Sequence, residues 1–463
     1  MPDSIQTLPL TGRHIYLVLV SSMEQVIGAA QSTIIGIIIP LLNLIVHPEF
    51  SATEQGLMGA MGLIGIAIGS VLIGPLADKH GYLGWFRICP TLIIAGAFLS
   101  ALLPDGWTIC LGMFIAGIGV GGGYPLDSAY ISELMPLRWK SFMVGVAKAS
   151  CAVGFTLPAA ISVFALKDDS SPEIWRWIVW IMGALGIITL LLRIRWAQSP
   201  GWLLARGRTE EAKKAANFFF GKTISQSIAW SEMSSKSITP KSAKLTHSRS
   251  SLFSGKNLLR IIYSGIPWAC EGLGVYGIGV FLPVLIMALG LEHTTAAGIS
   301  KIIDSVGLTT IINLCILPGF VIGLIIVNRL NHPFMLWAGF GGSAISLGVL
   351  LIAYILHWPI WVSLAAFMIF EITLNAGPHL ITYIIPAEIF PVQIKGTGAG
   401  LAGFFGKVGA ILGVFFIPII LRSGGMELVL IVCIAVMLLG GTVTLVCSHI
   451  LGLKPFCIRS KQA

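Results

Sequence analysis

The chain has 463 residues, of which 56% are hydrophobic and only 11% charged, and its mean hydropathy is +0.89. A water-soluble chain of this length carries about 25% charged residues, so the composition excludes a soluble globular protein and points to a polytopic membrane protein. The net charge of +9 invites a nucleic-acid reading, but its placement along the chain belongs to membrane topology.

The opening "MPDSIQTLPLTGRH" is short and polar, and the apolar run after it is too long for the core of a secretory signal. The first span is therefore expected to remain in the protein. A helical span needs about 20 apolar residues. Twelve stretches qualify, at 15–42, 57–77, 86–104, 108–131, 142–166, 174–193, 260–290, 304–329, 334–356, 359–385, 397–421 and 427–451. The expected fold is an all-α membrane protein of twelve transmembrane helices in two pseudo-symmetric six-helix bundles. The expected divisions are 1–193 for the first bundle, 194–258 for a cytoplasmic linker with a short helix, 259–453 for the second bundle and 454–463 for a cytoplasmic tail. With both termini inside, Lys and Arg number 23 on the cytoplasmic side, Arg193 among them, and 4 on the other, as the positive-inside rule requires.

In the linker, "GWLLARGRTEEAKKAANFF" predicts a helix capped by Thr209, with Glu210 four residues before Lys214. The Ser- and Lys-rich stretch after it has no periodicity and predicts a flexible connection. The eight cysteines lie mostly in apolar runs without metal-ligand spacing, which predicts small buried side chains and neither a disulfide framework, a metal site nor a cofactor.

The two sides of the linker repeat each other. "SELMPLRWKS" (132–141) matches "AEIFPVQIKG" (387–396), with Glu133, Pro136 and Lys140 falling on Glu388, Pro391 and Lys395. At the same offset Tyr124 falls on His379, and Glu24 near the start of span 1 has a counterpart in Glu271 of span 7. A parallel repeat of six helices is a transporter plan, with the solute site between the halves near the midplane.

Several motifs resemble those of the major facilitator superfamily. "GPLADKHGYLGWFR" (74–87) is similar to its loop 2–3 motif, "YISELMPLRWKS" is similar to the end of span 4 in its sugar-porter and organic-ion branches, and "SPGWLLARGRTEEA" to the sequence after span 6 in those branches. "GGGYPLDSAYISE" (121–133), "NAGPHLITYIIPAEIFP" (375–391) and "GLAGFFGKVGAILG" (400–413) resemble its phosphate:proton symporter branch. Gly123 stands where that branch usually has an acid, the nearest acid here being Asp127. Glu271 lies one place earlier than the branch's span 7 acid, although Trp268 and Tyr276 keep their spacing.

Ionisable groups inside spans are costly and face a partner or a water-filled cavity. In span 10, Glu371, Asn375 and His379 recur every four residues on one helix face, and Pro378 interrupts the helix among them. They are expected to line a solute path, the competing reading being a hydrogen-bonded seam between helices. Glu24, Asp127, Glu271 and Glu371 are the expected proton carriers, against a reading in which an acid simply pairs with a neighbouring Arg. Lys148 in span 5 and Lys407 in span 11 each need an anion. They are read either as binders of an anionic solute or as partners in internal salt bridges, Lys148 with Asp127 or Glu24 and Lys407 with Glu271 or Glu371. The resemblance supports the first reading, because anion-carrying branches often have a cation where Lys407 stands. Tyr124, Trp268, Tyr276, Asn375 and His379 join the lysines as expected substrate contacts, and Tyr383 could add to the wall. Asp78, Arg87, Glu133, Arg138, Glu388 and Lys395 cluster at helix ends. The resemblance implies that they latch the outward-facing state.

The expected function is proton-coupled import of phosphate or a small organic carboxylate by alternating access. The expected setting is a cell (inner) membrane and the expected state a monomer, with lipid, protons and the solute as partners. The alternatives are a proton-driven efflux antiporter for a drug, siderophore or metabolite, a sugar or organic-cation porter, and a sensor that binds without transporting. No nucleophile motif or ligand spacing suggests an enzyme.

Overall fold

The computed structural model describes residues 10, 12–168, 171–204, 206–221, 255–290, 299–327, 329–390 and 395–453. Eleven helical segments are long and apolar enough to cross a membrane. The last, Leu401–Ile450, has 50 residues, and at 1.5 Å per residue it would far outrun a hydrocarbon core of about 30 Å. It is broken at Gly425, whose φ of 67° and ψ of −171° leave the helical region. That residue therefore separates spans 11 and 12, and the described residues hold twelve spans.

Local chemistry sets many of the ends. Ser51 and Glu54 form a reciprocal capping box at the start of span 2, and Asp105 accepts from the amides of Trp107 and Thr108, each at 3.0 Å, at the start of span 4. Such caps satisfy amides that have no partner within the helix. In the connection after span 6 the short helix is Thr209–Phe220. Thr209 is its first residue and not its cap, and Glu210 pairs with Lys213 rather than Lys214. The Ser- and Lys-rich stretch lies outside the described residues.

Small residues let helices approach closely, the usual means of packing where lipid removes the hydrophobic drive. A Cβ at Gly65 or Gly69 of span 2 would lie 2.3 Å from a carbonyl oxygen of span 4. Spans 7 and 11 meet in the same way, with Gly272 facing the Gly406 carbonyl and Gly409 facing that of Ala269. This second seam sets the cavity wall.

The halves touch mainly at the end remote from the 194–221 connection. There Gly36 of span 1 abuts the Val280 carbonyl of span 7, and Gly56 of span 2 abuts the Phe415 carbonyl of span 11. Arg422 donates to the Phe50 carbonyl at 2.8 Å. Towards the other end spans 2 and 11 part, and a cavity opens between them.

Candidate functional site: a cationic cavity between the halves

The cavity has a volume of about 560 Å³, within the range of small-molecule sites. It draws on both halves. Tyr124 and Lys148 come from spans 4 and 5, Trp268, Glu271 and Tyr276 from span 7, His379 and Tyr383 from span 10, and Lys407 from span 11. Ala67, Ser70 and Val71 of span 2 face Gly403 and Phe404 of span 11 across its mouth.

Irregular helices place these side chains. Span 5 is broken at Ser150, and Lys148 lies in the last turn of its first segment, Leu137–Ala149, where the helix dipole favours a cation. Span 7 is α-helical over Gly255–Gly272 and widens to a π-helix over Leu273–Ile278. In a π-turn residues five apart come into line, so Glu271 and Tyr276 reach one wall although an α-helix would set them well apart. Span 10 ends its first segment at Ala376, bends at Gly377 and resumes at Pro378. Pro378 lacks the amide that would continue the ladder, and a Cβ at Gly377 would lie 2.6 Å from the Met335 carbonyl.

The ammonium of Lys407 sits 5.0 Å from the ring centre of Tyr276 and 5.5 Å from that of Tyr124. It is thus held between rings of the two halves by cation–π attraction. Neither Lys148 nor Lys407 makes an ion pair with a carboxylate among the described residues. Glu271 is 2% exposed, and its Oε1 has no hydrogen-bond partner among the described residues. Nε2 of His379 lies 3.7 Å from that oxygen.

Glu24 and Asp127 lie elsewhere, in a buried cluster beside the cavity. Arg193 of span 6 is fully buried. Its Nη1 and Nη2 engage both carboxylate oxygens of Glu24, and Nη2 also reaches Asp127 Oδ1 at 2.8 Å and the Val20 carbonyl at 3.0 Å. The guanidinium stacks 3.6 Å from the Phe86 ring centre. Arg193, expected among the cytoplasmic loop cations, instead ends span 6 buried inside the bundle. Salt bridges from Lys148 to Glu24 or Asp127 do not form, because Arg193 takes both acids. Lys407 likewise has no ion pair with Glu271 or Glu371. A Cβ on Gly123 would lie 2.1 Å from Glu24 Cγ. Glu24 thus fills the space that a side chain at 123 would need.

Glu371 and Asn375 also stay off the cavity surface and are buried at 6% and 1% exposure. They form a chain along span 10. Asn375 Nδ2 donates to the Glu371 carbonyl at 2.8 Å and to its Oε2 at 3.0 Å, and His379 Nδ1 lies 2.8 Å from Asn375 Oδ1. Only His379 of this stripe lines the cavity. Among the helix-end charges, Arg87 donates to the Ile194 carbonyl at 2.7 Å. The side chains of Asp78, Glu133, Arg138, Glu388 and Lys395 lie outside the described residues.

Twelve spans in two halves around a central cavity define a major-facilitator transporter. A family model described as "Sugar (and other) transporter" matches residues 16–454, and the chain belongs to that family. Family and fold indicate a transporter and not an enzyme. The inner membrane metabolite transport protein YgcS of Escherichia coli is 25% identical, over 87% of this chain and 84% of that protein. A repressible high-affinity phosphate permease of Neurospora crassa is 24% identical over 75% of this chain and 67% of its own. The niacin transporter NiaP of Acinetobacter baylyi is 25% identical over 88% and 87%. Among solved structures, an inward-open conformation of the E. coli xylose transporter XylE superposes with a TM-score of 0.75 at 17% identity, covering 97% of this chain and 98% of that one.

Proposed function

We propose that the protein is a proton-coupled symporter that imports a small anion, phosphate or an organic carboxylate, by alternating access. One observation carries the proposal: Lys148 and Lys407 enter one cavity from opposite halves, with Glu271 as the only carboxylate among the described residues of its lining. A single carboxylate leaves two ammonium groups with an excess positive charge, and an anionic solute is its natural complement. Each lysine belongs to a different half, so an anion held by both draws the halves together. Differential binding of this kind is what moves an equilibrium between states.

Protons enter at two places. In the cavity, a proton on Glu271 removes the competitor for the lysines and so favours the anion. Beside it, the Glu24–Arg193–Asp127 cluster sets two carboxyl groups against one guanidinium, a balance that protonation of one acid completes. The relatives named for phosphate and for niacin are in keeping with this reading. The charge bias of the loops supports a cytoplasmic linker end, and with it a cavity mouth open to the cytoplasm.

The test is uptake into proteoliposomes under an imposed inward proton gradient, offering labelled phosphate, nicotinate and succinate in parallel. The expected result is accumulation of at least one of them, abolished by a protonophore and reduced at least about tenfold in Lys407→Ala, which is 1.4 kcal/mol of lost interaction. Accumulation of none, with xylose or a cationic solute taken up instead, overturns the anion assignment.

A further inference from the structure

The span 10 chain leads to a different assignment for three residues that the sequence grouped as solute contacts or proton carriers. Its logic begins with an acceptor of fixed character. The Glu371 backbone carbonyl can only accept, so the Asn375 group 2.8 Å away is the amide nitrogen. This holds whatever the protonation of the Glu371 side chain, whose Oε2 lies 3.0 Å from the same nitrogen. With Nδ2 turned to Glu371, the Asn375 atom 2.8 Å from His379 Nδ1 is Oδ1. An amide oxygen only accepts, so Nδ1 carries the hydrogen. In the neutral imidazole the other nitrogen is then bare, and it is Nε2 that faces Glu271 Oε1 at 3.7 Å. The Phe320 ring, 5.2 Å from the imidazole centre, packs against its side and limits its rotation.

We infer that Glu371 and Asn375 are positioning residues that lock His379 in the Nδ1–H tautomer, so that its Nε2 shares a proton with Glu271 at the cavity wall. The inference deepens the proposed function and rests on its cavity proton. The proton is held either as Glu271–COOH with neutral His379 or as Glu271 carboxylate with the His379 imidazolium. Passing between them breaks one O–H bond and forms one N–H bond, and no other reactant is needed. The separation of 3.7 Å exceeds a direct hydrogen bond and lies within ion-pair range, so a small side-chain shift or one water completes the transfer path.

The charged and titratable groups around this pair are Lys148, Lys407, Tyr124, Tyr276 and Tyr383 of the cavity and the buried Cys151 thiol of span 5. Both lysines disfavour the imidazolium, and an anion bound between them offsets that effect. Anion occupancy therefore favours retention of the shared proton by the Glu271–His379 pair, which links solute and proton in one cavity. An amide does not pass protons along, so the stripe is a brace for His379 and not a proton wire from Glu371.

Two readouts test this. The first is 15N NMR of histidine-labelled protein in lipid, with the His379 resonance assigned by its loss in His379→Gln. The expected result is a neutral Nδ1–H tautomer with an unprotonated Nε2, and a mixture of tautomers in Asn375→Leu. An Nε2–H tautomer, or a spectrum unchanged in Asn375→Leu, overturns the inference. This arm reads the imidazole alone, so it separates failure of the tautomer lock from failure of the anion-symport reading. The second is the pH profile of proton-driven uptake of the panel anion that accumulates. Uptake falls as rising pH strips the shared proton. Asn375→Leu removes the acceptor that supports the imidazolium and moves that limb to lower pH. Asn375→Asp keeps the acceptor, adds a negative charge and moves it to higher pH. Opposite shifts support the inference, whereas a common shift or none overturns it. Should Asn375→Leu fail to fold, Asn375→Ala, which also lacks the acceptor, takes its place in both readouts.

Discussion

Arg193 shows how a single side chain can be misplaced by a sequence reading and why. It closes the apolar run "GALGIITLLLR" and is followed by Arg195 and a tryptophan, a pattern that ordinarily marks a helix leaving the membrane. The contrary signal lay elsewhere in the chain: Glu24 and Asp127 sit within spans, and buried acids require a cation. Lys148 was the nearer choice by sequence, yet Arg193 offers the planar fork that can serve two carboxylates at once. Removing a buried partner leaves uncompensated charge, at a cost of about 3–5 kcal/mol. Arg193→Met is therefore expected to unfold at a markedly lower temperature in detergent, and the double variant Arg193→Met with Glu24→Gln to recover part of the loss. Equal destabilisation of the two would show that the acids are not what Arg193 holds. Gly123→Ala acts on the same cluster from its other side, because the added methyl falls on the Glu24 side chain. Overpacking of this kind costs roughly 1–3 kcal/mol, and a lowered unfolding temperature is the check.

At the scale of elements, what carries a local mark was legible and what depends on packing was not. The break in span 10 could be read from Pro378, since proline has no amide to donate. The π-helix of span 7 has no such residue: "LGVYGI" (273–278) contains nothing that forbids an α-helix. Close contact with span 11 accompanies it, with Gly277 set against Gly413 and Gly272 against Gly406, and that contact cannot be read from span 7 alone. The turn between spans 11 and 12 is a similar case. "RSGGME" (422–427) marks a polar interruption, but only the structure shows that Gly425 carries the positive φ. Its φ of 67° with ψ of −171° is a region that is essentially glycine-only, and a side chain there costs about 1–3 kcal/mol. Gly425→Ala is expected to lower the unfolding temperature. Ser423→Ala, on helical backbone two residues earlier and exposed, removes only a hydroxyl that bonds the Ile420 carbonyl at 3.2 Å, so it should cost less. The comparison of the two by thermal unfolding checks the assignment.

For the whole molecule, composition and hydropathy carried most of the fold. The twelve spans follow from apolar length, and the internal repeat pointed to a cavity between two halves. The cavity itself was legible in part. Tyr124, Lys148, Trp268, Glu271, Tyr276, His379 and Lys407 converge on it, whereas Glu24, Asp127, Glu371 and Asn375 do not line it. The difference is one of helix rotation: periodicity says which residues share a face, and tertiary packing says whether that face meets the cavity or a neighbouring helix. The central claim, that two lysines from opposite halves hold an anion, is tested most directly by equilibrium binding to the purified protein in detergent. Labelled phosphate, nicotinate and succinate would be offered to wild type, Lys148→Gln and Lys407→Gln, with unfolding temperatures measured in parallel. The account predicts that at least one of these anions binds, and that each variant weakens it by about tenfold or more, equivalent to 1.4 kcal/mol, without a comparable loss of unfolding temperature. Affinity unchanged in both variants, or lost only in step with a collapse of the fold, would contradict it.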